Sequence, residues 1–320
     1  MGETDMKLGE NLIAESGLDP FFRLANPGEI GLDPPELRKG DAVRAAVRAL
    51  SGFQKEALVT SARTGQDWRL VSDEGPYLNG HDAAPCPLAF FSVGMAAGFL
   101  NEITALAGMR GVKIRALRLV QDNFYTMTGS MRARTMTGGA ENVALAVEID
   151  CDLDDAALMQ FLSDAIHAAP VAGLMRGVHP GHFRLARNGD PLATGAAGEL
   201  DAPILPDPAP VFDRALPEAA GIALMAPVGP TPKKPVEKGT EAGGSSLSDA
   251  QDRRLNIGAV AELRPDGLKE IRQMQYSPWG TSFRFLSAED GRAPDANTLV
   301  SAGIAFCFMT QFGRFVSMLG

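Results

Sequence analysis

Three cysteines, Cys86, Cys151 and Cys307, are the residues of this 320-residue chain suited to covalent chemistry. A thiol acts as a nucleophile or redox group when a neighbouring cation or a helix N-terminus holds it as the thiolate. Cys307 lies among Ile304, Phe306 and Phe308. That setting fits a small buried hydrophobe as well as a redox centre, because apolar surroundings raise a thiol pKa unless a cation such as Arg284 or Arg314 lies close. Cys86, between Pro85 and Pro87 ahead of an apolar run, gains thiolate character if a helix dipole points at it, and reads equally as a loop thiol without a role. Cys151 closes a strand-like segment and reads as packing. His179 and His182, in VHPGHF, straddle a Pro-Gly turn with no carboxylate or third histidine near, so neither a metal nor another cofactor is expected.

The elements that must position these residues follow from periodicity. EALVTSAR and DWRLVSDE alternate as two half-buried strands joined by a hairpin through Thr64-Gly65-Gln66. The apolar run 88–107 predicts a long helix stopped by Gly108 and Gly111. Strands are expected over 112–122, 125–135 and 142–151, then an amphipathic helix starting at Asp154 and Asp155, then a strand over 182–187. LNIGAVAEL, LKEIRQMQY and TSFRFLSAED predict three more strands, followed by a second apolar helix over 299–319. A short helix over 41–50, capped by Asp41, and another near 213–224 complete the set. Strands and helices do not alternate as βαβ units, so the class is α+β with antiparallel sheets. The Pro/Gly/Ser-rich stretch 226–254 reads as a linker.

Composition removes several function classes. With 39 acidic against 30 basic residues the formal charge is −9, so no nucleic-acid partner is expected. The acidic, polar N-terminus lacks the pattern of a secretory signal. Both long apolar runs carry polar or charged residues, Asn101 and Glu102 in one and Gln311 and Arg314 in the other, which argues for core helices and against membrane spans. A cytoplasmic, thiol-reduced protein is the expectation.

The two halves of the chain match each other. WRLVSDE at 68–74 aligns with FRFLSAE at 283–289, and SVGMAAGF at 92–99 aligns with SAGIAFCF at 301–308. This repeated unit resembles the OsmC/Ohr family, the osmotically induced and organic-hydroperoxide-resistance proteins. The resemblance rests on the strand ending in Ser72-Asp73-Glu74, a glycine-bearing loop, the helix entered through Pro87 that reads PLAFFSVGMAAGF, and IHAAPV at 166–171, where the family has its second cysteine followed by Pro-Val. It divides the chain into an N-terminal arm (1–54), a first unit (55–190), a connection and linker (191–254) and a second unit that holds only its first half (255–320).

The resemblance implies long helices packed on antiparallel sheets, with two units forming an intimate dimer, either a homodimer or, in this chain, an intramolecular pseudo-dimer. It implies a thiolate in the first long helix that reduces a hydroperoxide, a second cysteine that resolves the sulfenic acid, and an assisting arginine and glutamate. In the first unit the reactive-cysteine position falls on Gly98, the resolving position on Ala169 and the glutamate position on Leu88. In the second, Cys307 holds the reactive position and Asn297 that of the glutamate. Arg63, Arg69 and Arg284 are the candidates for the arginine. Two explanations of the short second unit stay open: the chain is a fragment of a longer protein, or its last helix completes the first unit. The function expected is thiol-dependent reduction of an organic hydroperoxide, with the first unit inactive; the alternative is a noncatalytic module whose inter-unit cleft binds a small apolar molecule or a partner protein.

Overall fold

The computed structural model describes residues 9–37, 40–131, 133–195, 197–219, 221–229, 251–275 and 280–319. Two antiparallel sheets enclose two long helices. The first sheet joins β1 (Phe22–Arg23), β2 (Val43–Ala49), β3 (Lys55–Ser61) and β4 (Asp67–Ser72) in the order β1-β4-β3-β2. Helix α1 (Pro87–Arg110) follows, with Pro87 at its first turn and Gly111 ending it in the left-handed conformation at φ 69. Next come β5 (Ile114–Gly129), β6 (Thr137–Ala140), β7 (Ala144–Cys151), α2 (Asp155–Ala168) and α3 (Pro170–Met175). Asp154 caps α2 by accepting from the Ala157 N–H at 2.9 Å.

The second sheet adds β8 (Met225–Gly229), β9 (Gln251–Leu263), β10 (Lys269–Gln275) and β11 (Ser282–Ser287), before the last helix, α4 (Ala296–Leu319). Its order is β8-β11-β10-β9-β5-β6, and β7 also pairs with β5. The chain thus contains two three-stranded meanders, β2–β3–β4 and β9–β10–β11, each followed by a long helix. The helices cross over: α1 packs on β9 and β10, α4 packs on β2 and β3, and the two helices pack on each other. The core cluster mixes both halves, bringing Trp68, Leu70, Phe90 and Val93 together with Phe283, Phe285, Leu299 and Phe306.

Several expectations need correction. The predicted helix over 41–50 is strand β2, whose Val43, Ala45 and Val47 pack on the core with period two while Arg44 and Arg48 bond outward. The two strands expected over 112–135 are one 16-residue strand, β5, because β9 pairs with it continuously from Glu262 opposite Arg118 to Gln251 opposite Gly129. The helix expected near 213–224 is absent among the described residues; a four-residue helix, Ala209–Phe212, lies just before it. The linker over 226–254 is bounded by the strands β8 and β9, and its centre, 230–250, lies outside the described residues. By length and composition α1 and the 296–316 part of α4 would suffice to cross a membrane, but α1 forms part of the core.

Candidate functional site

Cys307 projects from the middle of α4 into a cleft of about 120 Å3 that it shares with Cys86, Glu74, Tyr77, Leu88 and Arg314. Thr310, Gln311 and Arg314 line the same cleft from α4, since residues three, four and seven positions on share one helical face. The cleft adjoins an apolar groove of about 320 Å3 bordered by Leu88, Phe91, Tyr125, Ile304, Cys307 and Phe308. Cys86 sits immediately before α1, and its thiol donates to Gln275 Oε1 at 3.4 Å.

One wall of the cleft is a buried polar network. Lys55 Nζ lies 3.3 Å from Glu74 Oε1 and donates to Thr310 Oγ1 at 2.7 Å, while the Thr310 hydroxyl donates to Glu74 Oε1 at 2.7 Å. The Tyr77 hydroxyl donates to Glu74 Oε2 at 2.6 Å. Lys55 and Glu74 are both 2% exposed, so each charge depends on the other and on these hydrogen bonds. The loop that carries Tyr77 folds back at Gly80, where a side chain would collide with the Glu74 carbonyl. Asp73 fastens the same loop by accepting from the N–H groups of His81 and Ala83, both at 3.1 Å.

This environment favours neutral thiols. Burial first, and the Glu74 carboxylate second, push Cys307 up to about 12, against a lowering pull from Lys55. Burial and Glu74 also push the Cys86 thiol up, and Cys307 adds to that shift, which marks the two sulfurs as electrostatic neighbours. Arg314 supplies a buried cation in the cleft. Burial pulls its pKa below the ordinary arginine value, opposed by Tyr77 and Glu74, and its guanidinium donates to Gln311 Oε1 at 3.3 Å and toward Met127 Sδ at 3.5 Å.

The residues singled out from sequence distribute unevenly. Leu88 faces the Cys307 cleft. Gly98 and Ala169 lie in the closed half of the molecule: a Cβ on Gly98 would sit 3.7 Å from both Ala296 Cβ and Val171 Cγ2, and Ala169 is buried. Asn297 donates to Asp41 Oδ2 at 2.7 Å, beside Arg63, which pairs with Asp41 and Glu289. Arg69 is buried in an ion pair with Glu56 at 2.7 Å and stacks near Phe22. Arg284 donates to the Ala223 carbonyl at 3.1 Å on the edge of the second sheet. Neither Arg69 nor Arg284 lines the cleft; the cations there are Arg253 and Arg314. Sequence reasoning passed over Lys55, Thr310 and the role of Glu74. A signal existed, because Lys269 and Glu289, also paired at 3.2 Å, stand in matching places in the second half: each lysine opens its strand opposite a serine, Ser72 or Ser287, that the glutamate follows by two residues.

Among the described residues the protein is a mixed helix and antiparallel-sheet molecule with a thiol-lined cleft between α4, the start of α1 and strands β5 and β9. No protein-family model matches the chain, and no curated protein matches it. Among solved structures it is similar to an OsmC-like hydroperoxide resistance protein from Jannaschia sp., at 16% identity and a TM-score of 0.32 over 48% of this chain and 99% of that one. A protein of Psychrobacter arcticus described as osmotic stress induced and of the detoxification response is similar at 18% identity and a TM-score of 0.27, over 42% of this chain and 88% of that one.

Proposed function

We propose that the chain is a tandem OsmC-like protein whose two meander-helix units form an intramolecular pseudo-dimer, and that it reduces organic hydroperoxides at a single thiol site built on Cys307 and Cys86. The observation that carries this reading is that both sulfurs line one cleft with a buried arginine, beside an apolar groove able to receive an organic group. The Cys307 thiolate, formed by loss of its proton and favoured by the Lys55 ammonium, attacks the outer peroxide oxygen; the O–O bond breaks and the departing alkoxide takes up a proton to leave as the alcohol. Cys307 is then a sulfenic acid. The Cys86 sulfur attacks it, the S–S bond forms, and the hydroxyl leaves with the Cys86 proton as water. Two electrons from two thiols account for the peroxide reduced. An external dithiol restores the pair, which suits a reducing cytoplasm.

Exposure of the reduced chain to cumene hydroperoxide, followed by peptide mass mapping without reductant, tests this. A Cys86–Cys307 cross-link is expected in the wild type, a trappable sulfenic acid at Cys307 in Cys86→Ser, and neither in Cys307→Ser. Unchanged thiols throughout would contradict the reading.

The elevated Cys307 pKa and the apolar groove favour a second reading, a noncatalytic binding module for a small apolar molecule. An apolar fluorescent probe that binds wild type and Cys307→Ser equally, with no peroxide-dependent cross-link, would support it.

A further inference from the structure

We infer that Gln275 is a positioning residue that sets the redox poise of the Cys86–Cys307 pair: by accepting the Cys86 S–H it favours the dithiol and leaves the disulfide an easily reduced intermediate. The inference rests on the thiol chemistry proposed above. Cys86 Sγ donates to Gln275 Oε1 at 3.4 Å, and the same oxygen accepts from Gln273 Nε2 at 3.4 Å. Gln273 Oε1 in turn accepts from the Phe283 backbone N–H at 3.2 Å. Gln273 and Gln275 are alternate residues of β10 and so share one face of the sheet. Cys86, Gln273 and Gln275 are 5%, 0% and 2% exposed, so a partner lost from this row is not readily replaced by solvent.

The direction of the row is fixed at its far end. A backbone N–H only donates, so Gln273 turns its oxygen to Phe283 and its NH2 to Gln275, and Gln275 turns its oxygen to Gln273 and Cys86. Cys86 must then supply a proton. Its thiol does so, whereas a thiolate sets a negative sulfur against a carbonyl oxygen and a disulfide sulfur has no proton to give. When the Cys86 sulfur attacks the Cys307 sulfenic acid, the S–S bond forms and the Cys86 proton leaves with the hydroxyl as water, so Gln275 Oε1 loses its Cys86 donor. That cost falls on the oxidised state alone. The Gln275 backbone is paired opposite Ile257 of β9 and donates to Ser282 Oγ at 3.0 Å, so the strand does not shift to follow the sulfur.

Equilibration of the full chain with 2-mercaptoethanol and its disulfide, which takes two electrons and two protons from the pair as it becomes two thiols, tests the inference. Gln275→Met nearly keeps the side-chain volume and removes the acceptor, so it should raise the equilibrium constant for Cys86–Cys307 disulfide formation by about three- to tenfold. Loss of the Gln273 bond weakens both redox states alike and cancels. A second measurement needs neither disulfide nor peroxide: in the reduced Cys307→Ser chain the Raman S–H band of Cys86, identified by its loss on Cys86→Ser, should lie below that of a thiol without an acceptor and rise in Gln275→Met. A merely structural role would not move it. Equal equilibrium constants in the wild type and Gln275→Met, or a Cys86 band at the position of an unbonded thiol, would overturn the inference and leave the proposed chemistry intact. A wild-type chain that forms no Cys86–Cys307 disulfide at all would overturn that chemistry and the redox poise with it.

Discussion

Gly94 and Gly303 make the same close approach from opposite sides of one helix crossing. A Cβ on Gly94 would lie 2.9 Å from both the Ala296 oxygen and the Val300 nitrogen, and a Cβ on Gly303 would lie 3.1 Å from the Pro87 oxygen and 2.9 Å from the Phe91 nitrogen. On each helix the contacted residues stand seven and three positions ahead of that helix's own glycine, which gives the crossing a local two-fold character. Because these contacts include backbone atoms at 2.9–3.1 Å, neither helix can admit a side chain there without moving.

Gly94→Ala and Gly303→Ala should therefore each destabilise the fold by about 1–3 kcal/mol despite the better helix propensity of alanine. Gly98→Ala meets ordinary contacts at 3.7 Å and should be neutral or slightly stabilising. Urea denaturation of the three variants checks the contrast. Equal effects at Gly94 and Gly98 would count against the crossing.

The Lys55–Glu74 pair makes a second prediction. Removing one partner leaves a buried charge without compensation, so Lys55→Met should lower stability by about 3–5 kcal/mol, whereas a Lys55→Met/Glu74→Leu double variant should recover much of that. Denaturant midpoints of the single and double variants provide the test.

Glu74 also tunes the thiol. Its charge raises the Cys307 pKa, so Glu74→Gln should lower that pKa and speed iodoacetamide alkylation of Cys307 at pH 9, read residue by residue by mass spectrometry. No acceleration in a variant that retains its fold would remove the carboxylate from the account of the site.

Stability should depend on pH in the alkaline range. Cys307 is pushed up to about 12 and Cys86, Tyr77 and Tyr125 are also raised, so the folded chain holds these protons more tightly than the unfolded one. Their contribution is complete below the unfolded cysteine value of about 8.5 and is lost as pH climbs from there toward the folded values. Thermal midpoints should fall steadily between about pH 8.5 and pH 11, and more shallowly in Cys307→Ser.

Much of this was legible in the sequence. The strands β3, β4, β10 and β11, both long helices and the capped α2 follow from period and capping residues, and aligning SVGMAAGF with SAGIAFCF sets Gly94 against Gly303. Strand β2 was misread because AVRAAVRAL is rich in alanine, and its period-two set of Val43, Ala45 and Val47 is weak beside that composition until β3 pairs with it. The site was half legible. Cys307, Leu88 and Arg314 were in view, but the nearness of Cys86 depends on two helices crossing, which no local pattern encodes. Lys55 and Glu74 lie 19 residues apart, and their meeting is decided by the register of β3 against β4.

Consumption of cumene hydroperoxide with a dithiol reductant, compared between the wild-type chain, Cys307→Ser and Cys86→Ser, tests the central claim most directly. The account predicts turnover in the wild type, none in Cys307→Ser, and in Cys86→Ser turnover that is slower and limited by the external thiol. Turnover that survives Cys307→Ser, or no turnover in the folded wild-type chain, would contradict it.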